Sequence, residues 1–238
     1  MASGFHGDYM AGTMSASVIV GALYHRAITG KGQFIEMPQA QATTNILGPA
    51  YLDYLVNGRV DPPRGDRHPQ FAPYNCYRCR GEDEWCVIAI FDENDWKKLC
   101  AAMDDPPWSA DPKFADMEAR LKNADELDSY IESWTRRKTK RQVMRLLQYY
   151  GVSAGAVQNQ EDLFYDLQLR MRGSIFEQDF PRLGTVEMAA LPLHLSEGQR
   201  TPSRHTSVLG EHNNYVFGQL LGLSDSQIKR LQDLNVIF

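Results

Sequence analysis

The carboxylate of Asp8, in Gly7-Asp8-Tyr9, stands just ahead of a long run of small apolar residues. Two chemistries fit that place. An Asp before a helix is a good N-cap, because its oxygen accepts the unpaired amides of the first turn. The same positive helix end also holds a carboxylate ionised, the form that attacks an activated acyl group. Cys76-x-x-Cys79 followed by Cys86 invites a zinc or redox reading, but no second CxxC and no HxxxH pair exists to complete four ligands. Residues three apart on a strand face opposite ways, so these thiols are read as structural. His68, His194, His205 and His212 lack ligand spacing and are assigned surface or cap roles. Arg136, Arg137, Lys138, Lys140 and Arg141 form a dense basic cluster. Lying where one helix ends and the next begins, it reads as a solvated face rather than a phosphate site. Neither GxGxxG nor GxxxxGK with a following Ser or Thr occurs, and Gly30-Lys31-Gly32 follows a helix whereas phosphate loops precede one.

Positioning Asp8 falls to the apolar run behind it. Met14, Val18, Ile19, Ala22 and Leu23 recur at helical spacing and predict a helix over 11–28, stopped by Gly30 and Gly32. Its nearly all-round apolar character requires covering layers. If the chain is a portion of a layered domain, that helix exposes an apolar face and the isolated chain self-associates. A second helix is expected over 38–56, with Pro38 in its first turn, an interruption at Gly48-Pro49 and a stop at Asn57-Gly58. Pro62, Pro63, Pro69 and Pro73 mark a linker and a domain boundary. The β-type runs 74–79 and 85–91 flank Gly81-Glu82-Asp83 and predict a hairpin. Apolar faces built on Trp96 and Leu99, on Leu127 and Ile131, and on Val143 and Leu147 predict three helices beside it, a compact α+β unit. Short strands are expected at 175–180, 185–190 and 193–195, then helices over 212–221 and 224–234.

With 43% hydrophobic and 23% charged residues, the 238-residue chain has the composition of a globular protein, which excludes fibrous and disordered classes. Twenty-five basic against 30 acidic side chains give a net charge of −5, so nucleic acid is not an expected partner. Four cysteines are too sparse for a disulfide scaffold and no secretory leader pattern is present, so the expected setting is cytoplasmic. The apolar stretch at 18–23 is far short of the ~20 residues of a membrane span, and no membrane is expected as a partner.

Gly7-Asp8-Tyr9, Gly12 and the string from Gly21-Ala22-Leu23 through Arg26 to Thr29-Gly30-Lys31-Gly32-Gln33 together resemble the class III CoA-transferases, the CaiB/BaiF family. The likeness continues through Tyr77-Arg78-Cys79-Arg80-Gly81 with Trp85, Asp111-Pro112-Lys113-Phe114 with Arg120 and Asn123, Gly151-Val152 with Gly155, and Leu209-Gly210-Glu211-His212-Asn213. It implies an α/β fold: a partial Rossmann-like large domain plus a small α+β domain. Residues 1–60 would then be a helical part of the large domain, 61–167 a linker and the small domain, and 168–238 a segment returning to the large domain. The resemblance also implies transfer of coenzyme A from an acyl-CoA donor to a carboxylic acid acceptor, with Asp8 as covalent nucleophile. The CoA thioester would be a substrate, with no permanently bound cofactor and no metal, and the full-length enzyme a homodimer. In that family the aspartate lies well inside the polypeptide. The chain is therefore expected to be a C-terminal portion, inactive alone, and no residue is assigned to coenzyme binding.

Two departures from the family pattern stand out. In Met37-Pro38-Gln39-Ala40-Gln41, Gln41 replaces an expected carboxylate, and Gly65-Asp66-Arg67-His68-Pro69 stands where some transferases carry a glycine run. The alternatives are an α-methylacyl-CoA racemase of the same superfamily, with Asp8 as acid/base and Asp92 near the place of a racemase glutamate, or a non-catalytic subunit.

Overall fold

A computed structural model describes residues 6–60, 62–63, 65–198 and 207–238. The chain divides into two compact units, Met1–Pro69 and Gln70–Phe238.

In the first unit, helix α1 spans His6–Thr29, starting ahead of the expected residue 11. Asp8 in its first turn and Arg26 in its last both complement the helix dipole. Gly30, at φ +70°, ends it by donating its N–H to the Arg26 carbonyl at 2.9 Å. The helix expected over 38–56, with an interruption near Gly48-Pro49, takes the form of helix α2 (Gln39–Thr44), a 3-10 turn (Asn45–Leu47) and helix α3 (Gly48–Asn57). Pro49 sits in the first turn of α3, where its missing N–H costs nothing, while its ring excludes an α-helical carbonyl four residues earlier, at Asn45. The break therefore falls at 45–47. Helix α1 packs on α2, and the buried side chains of the pair are Ala11 and Ala42, small enough to let the backbones close up. Elsewhere α1 exposes Val20, Leu23, Tyr24 and Ile28, and α3 exposes Leu52, Tyr54, Leu55 and Val56. The all-round apolar pattern of the sequence thus leaves an uncovered apolar surface in this unit.

In the second unit, strands β1 (Tyr74–Arg78) and β2 (Trp85–Ala89) form the expected antiparallel hairpin, with Tyr74 opposite Ala89 and Tyr77 opposite Cys86. A third strand, β3 (Ser153–Ala156), pairs with β2 and was not legible in the sequence. Ser-Ala-Gly-Ala has no β-branched or aromatic residue, so its strand state comes from its neighbours. One of them is Val87, whose Cγ2 would lie 3.4 Å from a Cβ built on Gly155. Helix α4 (Glu93–Ala102) follows the hairpin, then α5 (Met117–Lys122), α6 (Ala124–Thr135) and α7 (Lys140–Tyr149). Helix α6 packs on β1, and α7 on β2 and β3. Between them lies a core of Tyr77, Ile88, Ile90, Leu99, Phe114, Leu127, Ile131, Val143 and Leu147.

Short helices α8 (Gln160–Phe164) and α9 (Leu167–Met171) lead to a second hairpin, β4 (Ile175–Phe180) with β5 (Gly184–Ala189). The expected strand at 193–195 does not form; Leu193 and Leu195 are exposed and lie in no strand. A helical segment with π-type hydrogen bonds (Asn214–Leu220) and α10 (Asp225–Asp233), capped by Ser224, end the chain. Among the described residues no helix is long and apolar enough to cross a membrane.

Candidate functional site

Asp8 is a helical residue in the first turn of α1, not a residue ahead of it, so its N-cap reading is replaced. It is exposed, and its Oδ1 accepts a hydrogen bond of 2.8 Å from Gln39 Nε2. That contact follows from the packing of α1 on α2. Ala11 lies three residues after Asp8 and Ala42 three after Gln39, so each buried alanine shares a helix face with one member of the polar pair. A Cβ built on Gly7 would lie 3.5 Å from Thr43 Oγ1, which shows how closely α2 approaches this turn. Thr43 Oγ1 in turn donates to the Gln39 carbonyl at 2.9 Å. Gln41, two residues on from Gln39 and so about 200° round α2, is exposed.

The first unit also carries a cavity of about 190 Å³ lined by Leu23, Arg26, Gln33 and Ile35 among others. Arg26 is eighteen residues along α1 from Asp8, which at 1.5 Å per residue places it ~27 Å away. The cavity and the carboxylate are separate features.

In the second unit, Asp92 is the N-cap of α4, its Oδ1 accepting the Asp95 N–H at 2.8 Å. Cys79, Cys86 and Cys100 are buried and Cys76 is half-buried; none of the four is in a disulfide. Burial pushes Cys79, Cys86 and Cys100 up, which keeps them protonated and unreactive. Among the described residues no three His, Cys, Asp or Glu side chains gather as a metal site. His212 Nε2 lies 3.0 Å from Ser207 Oγ, and His205 lies outside the described residues.

The basic cluster departs from its solvated reading at one position. Arg136 pairs with Glu132 and Lys138 lies over the Trp134 ring, but Lys140 is only 5% exposed. It bridges Glu84, at 3.0 Å, and Asp162, which Arg141 also holds at 2.9 Å. Thr139 and Gln142 form a capping box that starts α7 at Lys140, and the acids of the hairpin turn and of α8 meet it there. The hydrogen bond from Lys140, then that from Arg141, lower Asp162 to about 2. Burial disfavours charge on Lys140, yet the bonds to Asp162 and Glu84 outweigh it and raise its pKa. Arg120, one of the motif residues, is fully buried and structural: it holds the carbonyls of Ala72 and Phe114 and the Glu93 carboxylate.

The model of CoA-transferase family III matches residues 1–213, and the chain belongs to that family. It is similar to the succinyl-CoA–D-citramalate CoA-transferase of Chloroflexus aurantiacus, 29% identical over 231 residues, which cover 97% of this chain and 57% of the relative. A formyl-CoA:oxalate CoA-transferase of Bradyrhizobium is 29% identical over 247 residues, covering 95% of this chain and 58% of the relative. A crystal structure of a CaiB/BaiF family protein from Brucella suis matches with a TM-score of 0.83 at 26% identity, covering 92% of this chain and 56% of that one. The fold is thus of the mixed α/β CaiB/BaiF type. The chain spans less than two thirds of the length of these relatives.

Proposed function

We propose that this chain supplies the nucleophile of a CoA transfer between an acyl-CoA donor and a carboxylic acid acceptor, and that the nucleophile is Asp8. The observation that carries the reading is an exposed carboxylate in the first turn of α1, inside the span matched by the family. One Asp8 oxygen adds to the donor thioester carbon and expels the thiolate, leaving a mixed anhydride. The thiolate adds to the Asp8 acyl carbon and expels the donor acid, leaving an aspartyl thioester. The acceptor carboxylate then displaces the thiolate, and the thiolate attacks the acceptor acyl carbon to release the new thioester and Asp8. No electron transfer and no net proton are required, so coenzyme A enters as substrate and neither metal nor resident cofactor is invoked.

The transferase reading is favoured over the racemase because the similar relatives are named as CoA-transferases. Two named relatives act on acyl-CoA and acid pairs, succinyl-CoA with citramalate and formyl-CoA with oxalate, and small carboxylic acids are the proposed substrate class. The reading carries with it the division into 1–60, 61–167 and 168–238, a homodimer in the cytoplasm, and an inactive 238-residue chain when isolated. Supporting that last point, the exposed apolar side chains of α1 and α3 call for a cover. The test is transfer by the protein at its full native length, with Asp8→Asn as comparison. Loss of transfer is expected. Near-normal transfer by Asp8→Asn, or α-proton exchange with deuterated water in the absence of an acceptor, overturns the reading.

A further inference from the structure

We infer that Gln39 is the oxyanion donor for the steps that occur at the Asp8 acyl carbon; the inference rests on Asp8 being the nucleophile. The Gln39 Nε2 to Asp8 Oδ1 bond of 2.8 Å fixes one of the two carboxylate oxygens and leaves Oδ2 to form the new bond. Once Oδ2 belongs to the anhydride, Oδ1 is the carbonyl oxygen of the aspartyl group, already facing an amide N–H. When the thiolate adds to that carbon, the C=O electron pair moves onto Oδ1, and the Gln39 bond now holds an oxyanion. Collapse restores the carbonyl and breaks the bond to Oδ2, which leaves with the donor acid. In the second half the acceptor carboxylate adds to the same carbon, the charge returns to Oδ1, and the thiolate departs. Gln39 thus assists the two steps that occur at the Asp8 acyl carbon. In the first step it only steadies the carboxylate that must attack.

The donor is preorganised. Gln39 opens α2, its carbonyl is held by Thr43, and the buried Ala11 and Ala42 set the helix spacing, so the amide reaches Asp8 without rearrangement. A purely structural role, in which Gln39 merely ties α2 to α1, predicts something different. It would lower formation and breakdown of the intermediates together.

The experiment uses the full native-length protein with succinyl-CoA or formyl-CoA as donor and a small carboxylic acid as acceptor. Gln39→Met keeps the length and shape of the side chain and removes the N–H; Gln39→Ala serves as a second variant, and thermal melts report folding. Turnover is measured together with the fraction of Asp8 trapped as its thioester or anhydride by acid quench during the steady state and read by protein mass; hydroxylamine, which adds to the same carbon that Gln39 serves, is used on the unsubstituted protein alone. For Gln39→Met, kcat is expected to fall about 100-fold, as for loss of one oxyanion donor, with KM nearly unchanged. The trapped fraction at Asp8 is expected to rise above that of the unsubstituted protein. If kcat and the trapped fraction fall together, or kcat stays within roughly twofold, Gln39 is not the donor. If the unsubstituted protein gives no Asp8 hydroxamate while transfer survives Asp8→Asn, the assignment of Asp8 itself fails, which is a distinguishable result.

Discussion

Replacing Arg120 by Leu should destabilise the second unit by about 2–4 kcal/mol. Its Nε donates to the Ala72 carbonyl at 3.0 Å and its Nη1 to the Phe114 carbonyl at 3.1 Å, and both of those residues are buried. Each carbonyl left without a donor costs about 1–3 kcal/mol. The Glu93 contact, at 2.5 Å from Nη2, adds little, roughly 0–1 kcal/mol, because that side chain is half exposed and regains water. Stacking of the guanidinium 4.7 Å from the Trp96 ring centroid is lost as well, about 1–2 kcal/mol at a dry site. Relief of the guanidinium's own burial offsets part of the total, which keeps the net figure below the sum. All four tryptophans, Trp85, Trp96, Trp108 and Trp134, belong to the second unit, so their fluorescence during urea unfolding follows it alone. Arg120→Lys keeps the charge but not the fork and should recover only part of the loss. A shift under about 1 kcal/mol for Arg120→Leu would refute the idea that its carbonyl anchors hold this unit together.

The Asp162 carboxyl, lowered to about 2 by Lys140 and Arg141, contributes stability that is present above its unfolded value near 3.8 and is lost as pH falls through about 2. Asp162→Asn should therefore flatten the acid limb of the stability curve between about pH 4 and 2; an unchanged limb in urea titrations would show that the pair with Lys140 is not formed. The exposed Leu23, Tyr24, Leu55 and Val56 should drive self-association of the isolated 238-residue chain in ultracentrifugation, and placing Ser at Leu55 and Val56 should reduce it. A monodisperse monomer across concentrations would contradict the reading of that surface.

Much of the second unit was legible because its signals are local. The β1–β2 hairpin declared itself through Trp85, Val87 and Ile88 on one side of Gly81-Glu82-Asp83, and α10 falls inside the helix expected over 224–234. Strand β3 was hidden because Gly155 and its alanine neighbours have no strand preference of their own; the edge of β2 recruits them. The strand expected at 193–195 failed for the opposite reason: leucines in alternation suggest a strand with one buried face, but both Leu193 and Leu195 are exposed, so the alternation marks no such face. Burial of Lys140 was invisible, since its acids come from the hairpin turn and from α8, and a run of basic residues carries no sign of which one turns inward. At the candidate site, Asp8 could be singled out from its place ahead of the apolar run of α1. Its partner could not, because Gln39 reaches it through the Ala11 and Ala42 packing, a tertiary contact across 31 residues of sequence.

The central claim, that Asp8 becomes covalently acylated during CoA transfer, is tested most directly by peptide mass mapping of the full native-length protein quenched with hydroxylamine during turnover of an acyl-CoA donor. A hydroxamate confined to the peptide carrying Gly7-Asp8-Tyr9, and lost in Asp8→Asn, is the predicted result. Sustained transfer without any adduct on that peptide, or an adduct on a different carboxylate, would contradict it.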